Sequence, residues 1–126
     1  DNGITWDALA RQLAEHEQAM CIVNLKRHAK VLWESAGDSA LHLSTNLCPA
    51  HRRDILDEVR DRLNKKRPVR LIATQCVEAG VDIDFPVVFR AYAPLDAIVQ
   101  AAGRCNREGK HATLGEMHVF LPEDEA

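Results

Sequence analysis

Residues 71–109 read LIATQCVEAGVDIDFPVVFRAYAPLDAIVQAAGRCNREG. One apolar run, 69–73, overlaps the start of this stretch, and a second, 87–92, lies in its middle. Both have the composition of strands that are covered on both faces of a sheet. The residues from Pro94 to Arg104 have the composition of a helix, with the proline in the first turn. A strand, a loop, a second strand and a helix in this order predict part of an α/β domain.

The rest of the chain continues this alternation. Strands are predicted at 19–24, 41–44 and 115–121. Helices are predicted after a Thr5 cap, at 26–35, and from Pro49 to a basic last turn at 65–67 that Pro68 ends. Strand and helix therefore alternate throughout, which predicts a three-layer α/β/α sandwich with a mainly parallel sheet. The 126 residues suffice for a single such domain.

Helical spacing also predicts which side chains face the core. In the helix at 26–35, Ala29, Leu32 and Trp33 lie on one side of a wheel with about 100° per residue. These three side chains are therefore expected to be buried.

The predicted helix after Pro94 carries a polar face. Gln100, Gly103, Arg104 and Arg107 follow the spacing i, i+3, i+4, i+7, so two guanidinium groups and an amide share one side. Such a face can bind an anion, although the solvated surface of an amphipathic helix is the simpler alternative. Gly103 favours the anion site, because a glycine inside a helix costs about 1 kcal/mol relative to alanine and permits close approach to the backbone.

Composition and charge limit the classes of function. Hydrophobic residues make up 46% of the chain and charged residues 28%, as in ordinary soluble globular domains. No apolar run approaches the roughly 20 residues of a spanning helix, and no secretory leader is evident, so we expect a cytoplasmic location and no membrane partner. The net charge of −3 argues against a free-standing nucleic-acid binder but permits a nucleic-acid site shared between two domains.

The cysteines do not form a metal or disulfide pattern. The chain contains four of them, Cys21, Cys48, Cys76 and Cys105. No C-x-x-C pair occurs, and Cys48 with His51 lacks a second close pair of ligands, so no metal site is predicted. Cys21 and Arg27 have the spacing of a thiol phosphatase loop, but apolar side chains replace the small residues that such a loop needs.

Two segments match known helicase motifs. Residues 74–82, TQCVEAGVD, have the form T-x-x-x-E-x-G-x-D of motif V in superfamily 2 helicases, and residues 100–107, QAAGRCNR, have the form Q-x-x-G-R-x-x-R of motif VI. In this order, with one strand between them, they resemble the second RecA-like domain of these helicases. Together with LSTNLCPAHR at 43–52, the chain resembles more narrowly the helicase-nuclease of type I CRISPR systems, over about residues 20 to 120.

This resemblance implies that residues 1–126 are a single RecA-like C-terminal helicase domain, cut from a larger helicase-nuclease. The full-length protein would be an ATP-dependent helicase that translocates along single-stranded DNA in CRISPR interference. The fragment is expected to be inactive, since it has no glycine-rich phosphate loop and no D-E-x-D or D-E-x-H string. ATP and Mg²⁺ would bind mainly to the absent first motor domain. The implied partners are single-stranded DNA, the first RecA-like and nuclease domains of the same chain, and the CRISPR surveillance complex.

The resemblance also implies roles for individual residues. Arg104 and Arg107 would be arginine fingers, and Gln100 would orient the attacking water or the phosphate. Three further residues would meet the nucleotide: Gly80, Asp82 and Gly103. Four residues would contact nucleic acid at the carboxyl ends of the strands, where ligands of such sheets collect: Thr74, Ser44, Thr45 and Asn24.

Two alternatives stay open. Motifs V and VI occur in other superfamily 2 helicases as well, and these two motifs alone do not determine whether the enzyme acts on DNA or RNA. A non-catalytic α/β protein-binding module is the second alternative, in which Arg104 and Arg107 would bridge to a partner protein.

Overall fold

The computed structural model describes residues 3–37, 40–43, 49–74, 85–93 and 116–122. Three helices and five strands lie in these ranges: α1 (Trp6–Ala14), β1 (Gln18–Val23), α2 (Lys26–Ala36), β2 (Ala40–Leu43), α3 (Pro49–Asn64), β3 (Val69–Thr74), β4 (Val87–Ala91) and β5 (Glu116–Phe120). The strands and helices predicted within the described ranges are confirmed, and the strand bounds differ from prediction by one residue at most. The helix from Pro49 ends at Asn64, so the prediction that 65–67 form its last turn is wrong. The helix predicted after Pro94 lies outside the described residues.

The five strands form one sheet in the order β2-β3-β1-β4-β5. Each neighbouring pair is parallel, so the predicted mainly parallel sheet is confirmed. The three central strands are almost entirely buried, which explains why their sequences are mainly apolar rather than alternating. Because all strands run the same way, their carboxyl ends lie at one edge of the sheet.

Helices cover both faces of the sheet, so the predicted three layers are confirmed. Successive residues of β1 point to opposite faces. Cys21 and Val23 pack with α1 and α2, whereas Met20 and Ile22 pack with Val59 of α3. No helix in the described part of the chain is long and apolar enough to cross a membrane.

The buried face of α2 differs from the predicted one at a single side chain. Ala29 and Leu32 are fully buried as predicted, but Trp33 is 41% exposed, so its predicted place in the core is wrong. The Trp33 indole Nε1 donates a hydrogen bond of 3.0 Å to the Ala40 carbonyl at the start of the edge strand β2. An indole N–H needs such a partner, which the rim of the sheet supplies and an apolar core does not. His28 occupies the buried face instead.

Arg70 of β3 holds the C-terminal end of α1. Its Nε donates to the carbonyls of Leu13 at 3.1 Å and His16 at 2.9 Å, and its Nη2 donates to the Ala14 carbonyl at 3.1 Å. The last carbonyls of a helix have no partner within the helix, and a cation there complements the helix dipole. The Thr5 hydroxyl caps the other end of α1. Both ends of α1 are thus satisfied by specific side chains.

We expect Arg70→Met to lower the free energy of unfolding by about 2 to 3 kcal/mol, because it removes charged donors from three backbone carbonyls. Urea denaturation of the chain measures this loss. Arg27→Met is the matched control, because Arg27 is exposed on α2 and its replacement should change stability by less than about 0.5 kcal/mol. Equal losses in the two variants would show that the carbonyl contacts of Arg70 contribute nothing.

Candidate functional site

The candidate site lies at the edge of the sheet where β3, β1 and β4 end side by side. Val23, the last residue of β1, is in register with Thr74, the last residue of β3. Asn24 follows β1. Tyr92 follows β4, which flanks β1 on the side opposite β3. The structure therefore brings together two of the predicted nucleic-acid residues, Thr74 and Asn24. Open parallel sheets bind their ligands outside this carboxyl edge.

Thr74 is positioned by a strand that is paired on both sides. β3 lies between β2 and β1, so its last residue is held by two parallel ladders. Thr74 is 4% exposed and is one of the few buried polar residues of the described chain. A rigid strand end is a precise support for a ligand-contacting hydroxyl.

Asn24 is half-buried, and both the oxygen and the nitrogen of its side-chain amide form hydrogen bonds, one to a residue of β4 and one to the residue that follows β4. Its Nδ2 donates to the Tyr92 carbonyl at 2.9 Å, and its Oδ1 accepts from Nη1 of Arg90 at 2.8 Å. An amide nitrogen carries two hydrogens. Within the described ranges, one Asn24 amide hydrogen has an acceptor, the Tyr92 carbonyl.

Arg90 is a buried cation that the sequence analysis did not single out. It is 1% exposed, and its Nη1 also donates to the Ala91 carbonyl at 3.2 Å. Burial lowers the pKa of the Arg90 guanidinium, which nevertheless stays charged because arginine starts so high. An arginine inside the otherwise apolar run 87–92 was the signal that could have identified it, since charged residues are rarely fully buried without partners.

The neighbouring Cys21 does not form a phosphatase-type site. It lies within β1, fully buried, and only Asn24 and Leu25 separate β1 from α2. That connection is too short for a loop that wraps around a phosphate. Burial also raises the pKa of the Cys21 thiol, which opposes formation of a nucleophilic thiolate. The thiol phosphatase hypothesis is therefore excluded.

The other predicted site residues lie outside the described residues. They are Ser44, Thr45, Gly80, Asp82, Gln100, Gly103, Arg104 and Arg107. Ser44 follows Leu43, the last residue of β2, which pairs with Ala73 of β3. In the part of the chain that the structure describes, no three histidine, cysteine or acidic side chains come together as metal ligands.

Comparisons with known proteins point to one family. The family model described as "CRISPR-associated nuclease/helicase Cas3, C-terminal" matches residues 9–110. The CRISPR-associated nuclease/helicase Cas3 of Haloferax volcanii is 53% identical over 66 residues, which are 52% of this chain and 7% of that protein. This chain therefore spans only a small part of that relative's length.

Solved structures agree with the fold. The crystal structure of T. fusca Cas3 matches 91% of this chain and 16% of its own, with a TM-score of 0.73 and 23% identity. T. fusca Cas3-ATP has the same coverage, a TM-score of 0.67 and 25% identity. The C-terminal domain of the DEAD-box protein Dbp5 matches 95% of this chain and 71% of its own, with a TM-score of 0.71 and 19% identity. The fold is thus that of a RecA-like helicase C-terminal domain, and the chain belongs to the Cas3 C-terminal family of CRISPR-associated nuclease/helicases.

Proposed function

We propose that this chain is the second motor domain of an ATP-dependent helicase or translocase that moves along single-stranded DNA in type I CRISPR interference. The observation that carries the proposal is the placement of Thr74 and Asn24 at adjacent carboxyl ends of a parallel sheet, in a chain of the Cas3 family. Residues 1–126 form one domain of a longer protein in this proposal. The other superfamily 2 helicases share the fold, so the assignment of DNA rests on the family.

The DNA track would consist of Thr74 and Asn24 together with Ser44 and Thr45. Hydroxyl and amide groups donate to phosphate oxygens without distinguishing bases, as a translocating enzyme requires. Such neutral donors also suit a chain with a net charge of −3. The first motor domain would supply the opposite wall of the track.

The nucleotide would be shared between the two motor domains. ATP and Mg²⁺ would bind mainly to the first domain, and this chain would contribute Gly80, Asp82 and Gly103 as contacts. Arg104 and Arg107 would stabilise the charge on the γ-phosphate, with Gln100 orienting the water or the phosphate. The match to T. fusca Cas3-ATP supports the use of a nucleotide in this family.

The remaining partners follow from the same proposal. The first RecA-like domain and the nuclease domain would belong to the same full-length chain, and the CRISPR surveillance complex would deliver the DNA. These interactions would take place in the cytoplasm. An RNA-acting helicase is the alternative, and stimulation of the full-length ATPase by single-stranded RNA rather than DNA would favour it.

Thr74→Val in the full-length protein tests the DNA track. The substitution keeps the shape of the side chain but removes the hydroxyl, so we expect the half-saturating concentration of single-stranded DNA in an ATPase assay to rise about three- to tenfold. Thr74→Ser is the matched control, because it retains the hydroxyl and should stay near the unmodified value. Unchanged DNA stimulation in Thr74→Val would remove Thr74 from the track.

A further inference from the structure

We infer that Arg90 is a positioning residue for DNA binding, which holds the Asn24 amide in the orientation that offers its second Nδ2 hydrogen to a phosphate of the single strand. This inference rests on the proposed function and adds to it a residue outside the helicase motifs. Arg90 itself is 1% exposed and buried within β4, so it cannot reach a strand that lies outside the sheet. Any effect of Arg90 on DNA binding must therefore pass through another residue.

The chemistry of the contact allows only one orientation of the amide. A guanidinium has donors and no acceptor, and a carbonyl has acceptors and no donor. The Asn24 amide contacts one guanidinium and one carbonyl: Nη1 of Arg90 lies 2.8 Å from its Oδ1, and the Tyr92 carbonyl oxygen lies 2.9 Å from its Nδ2. Rotating the amide by 180° would set its NH₂ group against the guanidinium and its oxygen against the carbonyl. Both contacts would then be repulsive.

The groups that hold the amide are themselves fixed by the sheet. Arg90 pairs with Ile22 of β1 on one side and Val119 of β5 on the other. The Tyr92 backbone N–H donates to the Phe120 carbonyl at 2.7 Å. Asn24 is therefore held by points that cannot shift without disturbing three adjacent strands.

A charged partner also improves the amide as a donor. The short hydrogen bond from a cation to Oδ1 is charge-assisted, and it draws electron density away from the Nδ2 hydrogens. Packing alone does not require a charge at position 90, because burying a guanidinium costs free energy that an unbranched apolar side chain avoids. The buried guanidinium donates to the Asn24 Oδ1 and to the Ala91 carbonyl, and Asn24 is the one side chain among these two acceptors.

A double-mutant cycle in the full-length protein tests this role, with the half-saturating concentration of single-stranded DNA in the ATPase assay as the measurement. Asn24→Ala removes the amide, and Arg90→Met removes the donors while keeping an unbranched side chain in the buried site. We expect each single variant to raise the half-saturating concentration about fivefold, as for one lost hydrogen bond. The double variant should show about the same fivefold rise, because Arg90 acts through Asn24.

Arg70→Met is the matched control for a general loss of stability. Arg70 also donates to backbone carbonyls, but it lies near the start of β3, away from the carboxyl edge. This variant should lower the melting temperature and leave the half-saturating DNA concentration unchanged. The inference would be overturned if Arg90→Met had a normal half-saturating DNA concentration. It would also be overturned if the double variant raised that concentration about 25-fold, the product of two independent fivefold effects.

Asn24→Asp provides a test that leaves Arg90 in place, and it applies even if Arg90→Met does not fold. The aspartate keeps an acceptor for the guanidinium but has no amide hydrogens, so the half-saturating concentration should rise at least about fivefold. DNA dependence like that of the unmodified protein would overturn the inference and remove Asn24 from the track, while the assignment of a DNA-stimulated motor domain would stand. An unmodified protein whose ATPase does not respond to single-stranded DNA would overturn both.

Discussion

Arg107→Lys in the full-length protein is expected to abolish DNA-stimulated ATPase activity, with a loss of about 10³ to 10⁵ in turnover. Phosphoryl transfer spreads negative charge over the γ-phosphate oxygens, and a guanidinium from the opposite domain stabilises that charge. Lysine should not replace it, because a point charge on a flexible stem lacks the planar fork of donors. In the proposed two-domain motor, Arg107 would reach the phosphate only when the domains close, which would couple hydrolysis to domain movement.

Steady-state ATPase assays with saturating single-stranded DNA measure this effect, together with ATP binding. Arg104→Lys should show a loss of the same kind, and ATP affinity should change far less than turnover in both variants. Arg11→Lys is the matched control, because Arg11 is exposed on α1 and lies outside both motifs. If Arg104→Lys and Arg107→Lys each retain turnover within about twofold, a loss of under roughly 0.5 kcal/mol, the proposed role of these two arginines in the motor is wrong.

Phe85→Ala should lower the free energy of unfolding by about 3 to 5 kcal/mol, because it deletes a large side chain from a close-packed core. Phe85 is fully buried and packs in the layer beneath α3 with Met20, Leu71 and Val88. The surrounding side chains belong to three neighbouring strands, β1, β3 and β4, so they cannot collapse into the cavity without disturbing the sheet. The expected destabilisation combines the free-energy cost of the cavity with the lost burial of the phenyl ring.

Urea denaturation of the chain measures the loss, with Tyr92→Ala as the control. Tyr92 is also aromatic and follows β4, the strand that Phe85 precedes. It is 65% exposed, so its truncation should change stability by less than about 1 kcal/mol. Similar losses in the two variants would contradict the burial difference on which the prediction rests.

The sequence by itself determined the fold class and, within the described ranges, the strand bounds to within one residue. Mainly apolar runs such as 69–73 and 87–92 predict strands covered on both faces. With helices between such strands, a parallel sheet is the arrangement that buries all of them. Pro49 begins α3 as predicted, because its fixed backbone geometry suits a first helical turn. The predicted parallel sheet also implied that Thr74 and Asn24 would lie at one edge, because each of them stands at the end of a strand and the two strands run in the same direction.

Only the tertiary structure decided which side chains complete that edge. The contact between Arg90 and Asn24 joins residues 66 positions apart, and it exists because the sheet places β1 directly beside β4. Local periodicity carries no information on strand order, so it could not pair these residues. The same limit explains Trp33, whose helical spacing indicated burial, whereas the carbonyl that its indole needs lies at the rim, on the edge strand β2. Periodicity identifies faces of single elements, and the order of the strands decides which polar groups those faces meet.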